Sequence, residues 1–143
     1  MKRILILLFV GLVAFSANAQ ILDLKSEHSL SSDTVTNTGT QWLEVVNALR
    51  AEPATTTTVW VSVTKISGTV GGTISLQGSL DGVTYKALYA PNGATALATF
   101  TATDATNTYH WIISGSPFPY YRVSWTGTGT MSASFSAKLY RAK

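Results

Sequence analysis

The chain has 143 residues, no cysteine, 12% charged side chains and a formal net charge of +3. The missing thiols exclude disulfides, thiolate catalysis and cysteine-held metal sites. The charges are sparse and form no basic stripe, which argues against a nucleic-acid partner.

The chain begins with a positive pair, Lys2 and Arg3, and then an apolar run from Ile4 to Phe15. Ser16-Ala17-Asn18-Ala19 supplies the small-x-small pattern that signal peptidase reads. The run is about twelve residues, short of the roughly twenty that cross about 30 Å of hydrocarbon. Residues 1–19 therefore read as a signal peptide cleaved between Ala19 and Gln20. The expected location is the periplasm, the cell surface or the medium, with no membrane span after processing. Of the 10 basic residues, Lys2 and Arg3 leave with this segment, so the remainder sits close to neutral against 7 acidic residues. Mass spectrometry of the exported protein should find Gln20, open or cyclised, as the first residue; intact Met1 in a membrane fraction would refute the assignment.

Residues 20–33 read as a polar leader or edge segment, and residues 34–143 as one domain. Residues 34–50 admit two patterns. Trp42, Leu43, Val46 and Leu49 fit a helix face, while Leu43, Val45 and Leu49 fit a strand face. The β-prone stretch Thr34 to Thr40 favours the strand. Further on, period-two alternation dominates. Val59, Val61 and Val63 alternate with Trp60, Ser62 and Thr64. Ile74, Leu76 and Leu80 share one parity, and Val83, Tyr85, Ala87 and Tyr89 share the next. Tyr121, Val123 and Trp125 oppose Tyr120, Arg122 and Ser124. Met131, Ala133, Phe135, Ala137 and Leu139 oppose a row of serines, Lys138 and Tyr140.

Turn chemistry separates these runs. Asp81-Gly82 lies between two of them and predicts a two-residue type I′ hairpin, since Gly accepts positive φ. Gly71-Gly72, Pro91-Asn92-Gly93 and Gly127-Thr128-Gly129 mark further reversals, and Pro117-Phe118-Pro119 enforces extended backbone. Short alternating strands at this spacing predict an all-β fold, a single antiparallel β-sandwich of jelly-roll type.

Residues 67–88, SGTVGGTISLQGSLDGVTYKAL, and 115–139, GSPFPYYRVSWTGTGTMSASFSAKL, resemble small β-sandwich proteins of bacteriophage and prophage genomes from Bacteroidetes-type hosts. The resemblance rests on Ser79, Asp81, Gly82 and Tyr85, on Tyr120 to Val123, on Gly127 to Thr130 and on the opening Thr34 to Thr40. It implies a virion-associated role, although a signal peptide departs from a plain virion protein. The same Ser-x-Asp-Gly-x-x-aromatic stretch is similar, more distantly, to discoidin-like jelly rolls and to an Asp-box lacking one residue. Asp81 and Gly82 are fully explained as structural turn residues, because Asp accepts backbone N–H bonds of its own turn.

Catalytic groups do not converge. His28 and His110 show no metal-ligand spacing, and Asp33, Glu44, Glu52, Asp81 and Asp104 form no close sequence pair. There is no Gly-x-Ser-x-Gly elbow, and Gly68 to Gly72 lacks the lysine of a phosphate loop. No clustered carboxylate loop suggests calcium. The expectation is a protein that is not an enzyme and that needs no metal or cofactor. Aromatic binding groups are better represented. Trp60 opposes the valine face of its strand and leads, followed by Tyr109, Trp111 and Tyr120. Arg122, near Tyr120, reads as a structural cation–π contact.

The first expectation for function is a structural or assembly module on a virion, envelope or filament surface. Its partner would be another protein or a second copy of itself. The alternative is a carbohydrate-binding, lectin-like module; a third is an accessory subunit of a secreted enzyme.

Overall fold

A strand with one apolar face needs a covering layer, and in this chain two such layers cover each other. A computed structural model describes residues 20–23, 32–44, 56–88, 99–114 and 118–142. The segments 1–19, 45–55 and 89–98 lie outside these residues, as do the signal peptide and its Ala19 cleavage position, the Val45 to Leu49 pattern and the Pro91 turn.

Among the described residues ten strands follow in order: β1 (Gln20–Asp23), β2 (Ser32–Thr36), β3 (Thr40–Glu44), β4 (Thr56–Gly68), β5 (Gly72–Ser79), β6 (Lys86–Ala87), β7 (Phe100–Thr101), β8 (Asn107–Ser114), β9 (Tyr120–Gly127) and β10 (Met131–Ala142). They form two five-stranded sheets in which every pairing is antiparallel. In the first sheet β10 lies between β4 and two short strands laid end to end, β1 and β2, and β4 also pairs with β8. In the second, β9 lies between β3 and β5, and β6 and β7 share the far edge of β5. The protein is an all-β sandwich, as its periodicity predicts.

The alternations of β4, β9 and β10 match the sequence pattern. Val59, Val61 and Val63 are buried, as are Tyr121, Val123 and Trp125 and the set from Met131 to Leu139. The layers lock through aromatic edges: Trp125 meets Phe135 of the opposite sheet at 5.5 Å between centroids, ring planes perpendicular. Phe100 bridges to Trp111 at 4.9 Å and Tyr109 at 5.2 Å. The polar tips of these rings are satisfied, with Trp125 Nε1 donating to the Gly71 carbonyl and Tyr109 Oη accepting from the Thr103 amide. Outside the strands, Asp104 Oδ1 accepts from both Lys65 Nζ and the Val70 amide at 2.7 Å, tying the β4–β5 turn to the loop before β8.

The expected two-residue hairpin is corrected. β5 ends at Ser79 and β6 begins at Lys86, so residues 80–85 form a longer loop. Asp81 lacks positive φ, whereas Gly82 has φ 73°. Asp81 Oδ1 instead accepts from the Val83 and Thr84 amides and the Ser79 hydroxyl, while Ser79 Oγ accepts from the Gly82 amide. This side-chain-organised loop breaks the period-two reading, and Leu80 and Val83 are exposed rather than core. At Gly82 a Cβ would stand 3.1 Å from the Tyr120 ring. Gly82→Val should therefore cost about 1 kcal/mol or more of stability by thermal melting. An unchanged melting temperature would contradict this loop geometry.

The same loop sets a pH dependence. Bonds from the Thr84 and Val83 amides hold the Asp81 carboxyl well below its ordinary value of 3.8. A lowered folded-state value means that the contribution is complete above that ordinary value and is lost as pH falls below it. Asp81→Ala should thus lower the melting temperature near neutrality and flatten its fall in acid. An unaltered acid limb would separate Asp81 from that transition.

Candidate functional site

The outward parity of the second sheet carries the most concentrated chemistry. Cross-strand register places Glu44 opposite Arg122, and Arg122 opposite Gln77. Two residues along, Trp42, Ser124 and Ser75 form the neighbouring row. Because Tyr121, Val123 and Trp125 fill the interior, period two forces Arg122 and Ser124 onto this outer face.

Arg122 is the hub. Its Nε and Nη2 donate to Gln77 Oε1 at 2.8 and 2.6 Å, using two of its five N–H donors. The guanidinium carbon lies 4.1 Å from the Tyr85 ring centroid and 5.6 Å from that of Trp42. Tyr85 comes from the Asp81-organised loop, which thereby positions a ring over the sheet. The Tyr85 phenol is pushed up to about 12, first by burial and then by the Glu44 charge and a hydrogen bond to that carboxylate. Burial presses the Arg122 value downward, while Tyr85 and Glu44 oppose it. Tyr120 borders the same cluster, its ring beside Gly82. Trp42, Glu44, Gln77, Tyr85, Tyr120 and Arg122 are all half-buried, with part of each side chain open to solvent. The next row outward is hydroxyl, with Thr40, Thr126, Thr73 and Thr101 aligned across four strands.

The arrangement presents two rings at a flat face, a fixed guanidinium, an amide and a carboxylate. Such a set can hold a polyhydroxylated ring: aromatic faces meet its C–H surface and planar polar groups bond its hydroxyls. It holds no acid–base dyad, since Glu44 is its one carboxylate and is engaged by Tyr85. Among the described residues no three His, Asp or Glu side chains gather as a metal site.

The sequence-selected aromatics divide. Trp60 points outward from the first sheet, 48% exposed, and stacks on His110 at 5.1 Å with ring planes 22° apart. Tyr109 and Trp111 turn inward and are buried, so neither offers a ring for stacking; the expectation of surface rings there is corrected. The alternation of Tyr109, Trp111 and Ile113 with Thr108, His110 and Ser114 already points these rings inward, a parity signal that the choice of them as surface rings overlooks. Tyr120 does border the cluster. Sequence reasoning misses Trp42, Glu44, Gln77 and Tyr85 as site residues and assigns Arg122 only a structural cation–π contact. The usable signal was its place between Tyr121 and Val123, which points it outward once those two are core.

No family model and no curated protein matches the chain. Solved structures resemble it distantly. The enzymatically active domain of tailspike protein 4 of bacteriophage CBA120 gives a TM-score of 0.45 at 9% identity, over 89% of this chain and 18% of that one. An endo-1,4-beta-D-xylanase of Clostridium thermocellum, with carbohydrate-binding and catalytic modules, gives 0.47 at 13%, over 88% of this chain and 25% of that one. The C-terminal carbohydrate-binding module of a Zobellia galactanivorans laminarinase gives 0.42 at 10%, over 88% of this chain and 93% of that one. The chain thus spans a quarter or less of the first two chains. At these identities the likeness is one of β-sandwich architecture.

Proposed function

We propose that this protein is an exported, non-enzymatic glycan-binding module whose site is the outer face of the second sheet. The observation that carries the reading is the half-buried Arg122 set beside Tyr85 and Trp42 and anchored to Gln77. Support also comes from the surrounding Ser and Thr rows, which are neutral and small enough to let a flat ligand approach. Tyr85 and Trp42 would stack on sugar faces, and Arg122, Gln77 and Glu44 would bond hydroxyls. Arg122 is both positioner and ligand donor, because the bonds to Gln77 fix its plane.

Affinity electrophoresis and calorimetry on a panel of soluble polysaccharides would test this. One glycan class should bind, and Trp42→Ala and Tyr85→Ala should each weaken binding by about tenfold or more, the scale of a lost interface anchor. Trp60→Ala, on the other sheet, should leave affinity unchanged. Absence of binding to every glycan, or equal loss from Trp60→Ala, would reject the site. The assembly reading keeps one specific observation, the exposed Trp60–His110 pair on the first sheet.

A further inference from the structure

A partly exposed guanidinium ordinarily takes a carboxylate or a sulfate, because its fork of N–H donors matches paired anionic oxygens. Arg122 bonds instead to a neutral amide: Gln77 Oε1 accepts from its Nε and Nη2, two of its five donors. The other side of β9 brings Glu44 of β3 directly opposite Arg122 in the ladder. Residues opposed in this way have Cβ atoms about 5 Å apart, so an anion drawn to the guanidinium also comes close to this carboxylate. Tyr85 spans the two charges. Its ring centroid lies 4.1 Å from the guanidinium carbon, and its phenol is hydrogen-bonded to Glu44. Burial first, and then the Glu44 charge, push that phenol up to about 12, so it stays protonated and donates to the carboxylate.

The rest of the face adds no charge. Apart from Glu44 and Arg122, the outward positions of β3, β5 and β9 carry hydroxyl, amide or aromatic side chains. At the rim Asp81 and Lys86 are both exposed and opposite in sign, and Asp81 Oδ1 is already taken by the Val83 and Thr84 amides. One cation and one anion stand at the centre, and one of each at the margin. Glu44 and Arg122 are half-buried, where a like charge is felt more strongly than in open water.

We propose, resting on the glycan-binding reading of this face, that Glu44 is a specificity residue that reserves the face for uncharged polysaccharides and rejects those bearing uronate or sulfate groups. A neutral sugar suits the pair because each hydroxyl both donates and accepts. One hydroxyl oxygen accepts from Arg122 while a neighbouring hydroxyl donates to Glu44. The oxygens of a carboxylate or sulfate only accept. Such a group satisfies Arg122 but leaves Glu44 without a donor and beside a like charge, and a repulsive element of this kind separates ligands that the attractive contacts alone would not.

Affinity electrophoresis of the protein as its host processes it tests this in gels of neutral polymers (xylan, laminarin, mannan, dextran) and of acidic ones (alginate, polygalacturonate, dextran sulfate). The neutral polymer retained most strongly is then compared with its own partly carboxymethylated form. Retention is expected in neutral gels alone, with carboxymethylation weakening binding about tenfold or more at low salt. Added salt should shrink that penalty, since repulsion is screened over about 10 Å at 0.1 M. Glu44→Gln keeps an acceptor for Tyr85 but removes the charge, and should raise the ratio of acidic to neutral affinity about tenfold. Asp33→Asn, which removes a carboxylate from β2 of the other sheet, should leave the ratio unchanged. Equal retention of acidic polymers, a penalty indifferent to salt, a ratio unmoved by Glu44→Gln, or the same shift from Asp33→Asn would overturn the role of Glu44 while the glycan site stands. Retention by no polymer of either kind would overturn both.

Discussion

Trp125→Ala is expected to lower stability by about 3–5 kcal/mol, the range for truncating a large buried aromatic. Trp125 is fully buried, meets Phe135 edge-on from the other sheet, and donates through Nε1 to the Gly71 carbonyl. Its removal would open a void between the sheets and leave that carbonyl without its indole donor. Neighbouring β-strands are too stiff to collapse fully into such a space. Trp60→Ala provides the contrast: its ring is 48% exposed, so the loss should stay within about 1 kcal/mol. Denaturant unfolding of the two variants checks both figures, and similar losses would contradict the inward and outward assignments.

The second large effect is expected at Gly72, which opens β5 with φ 112°. A Cβ there would collide with the Thr126 carbonyl oxygen and lie 2.7 Å from Gly127 Cα. Both obstacles are backbone of the neighbouring strand β9, which cannot retreat without breaking the ladder that carries Arg122. Gly72→Ala should therefore cost about 3 kcal/mol or more, combining left-handed strain with overpacking. If the outer face of the second sheet binds glycan as proposed, the substitution should also weaken that binding beyond any loss of folded protein, since β5 and β9 jointly hold Gln77 and Arg122. A variant with wild-type melting would show that this strand junction is looser than described.

Much of the fold was legible because β4, β9 and β10 each carry one apolar and one polar parity, and period two has a single solution in such strands. Reading failed in two places. In β8 the parity of Tyr109, Trp111 and Ile113 against Thr108, His110 and Ser114 points the rings inward, and the expectation of surface rings does not use it. From Leu80 to Thr84 the backbone follows the Asp81 carboxylate, and hydropathy says nothing about the path. The candidate site was hidden for another reason. Trp42, Gln77, Tyr85 and Arg122 come from three strands and a loop, and their meeting depends on cross-strand register. Register is a property of pairs of strands, absent from any one of them.

β10 pairs along one side with β4 and along the other with both β1 and β2. It is therefore the central member of the first sheet, yet it follows every partner in the chain. During synthesis β1 and β2 have to wait for residues 131–142 before they can pair, whereas β4 can meet β8 first. The first sheet therefore cannot be completed before β10 has been made, while the strands of the second sheet do not depend on it. Such an order favours slow folding, since distant pairings close costly loops before any gain is realised.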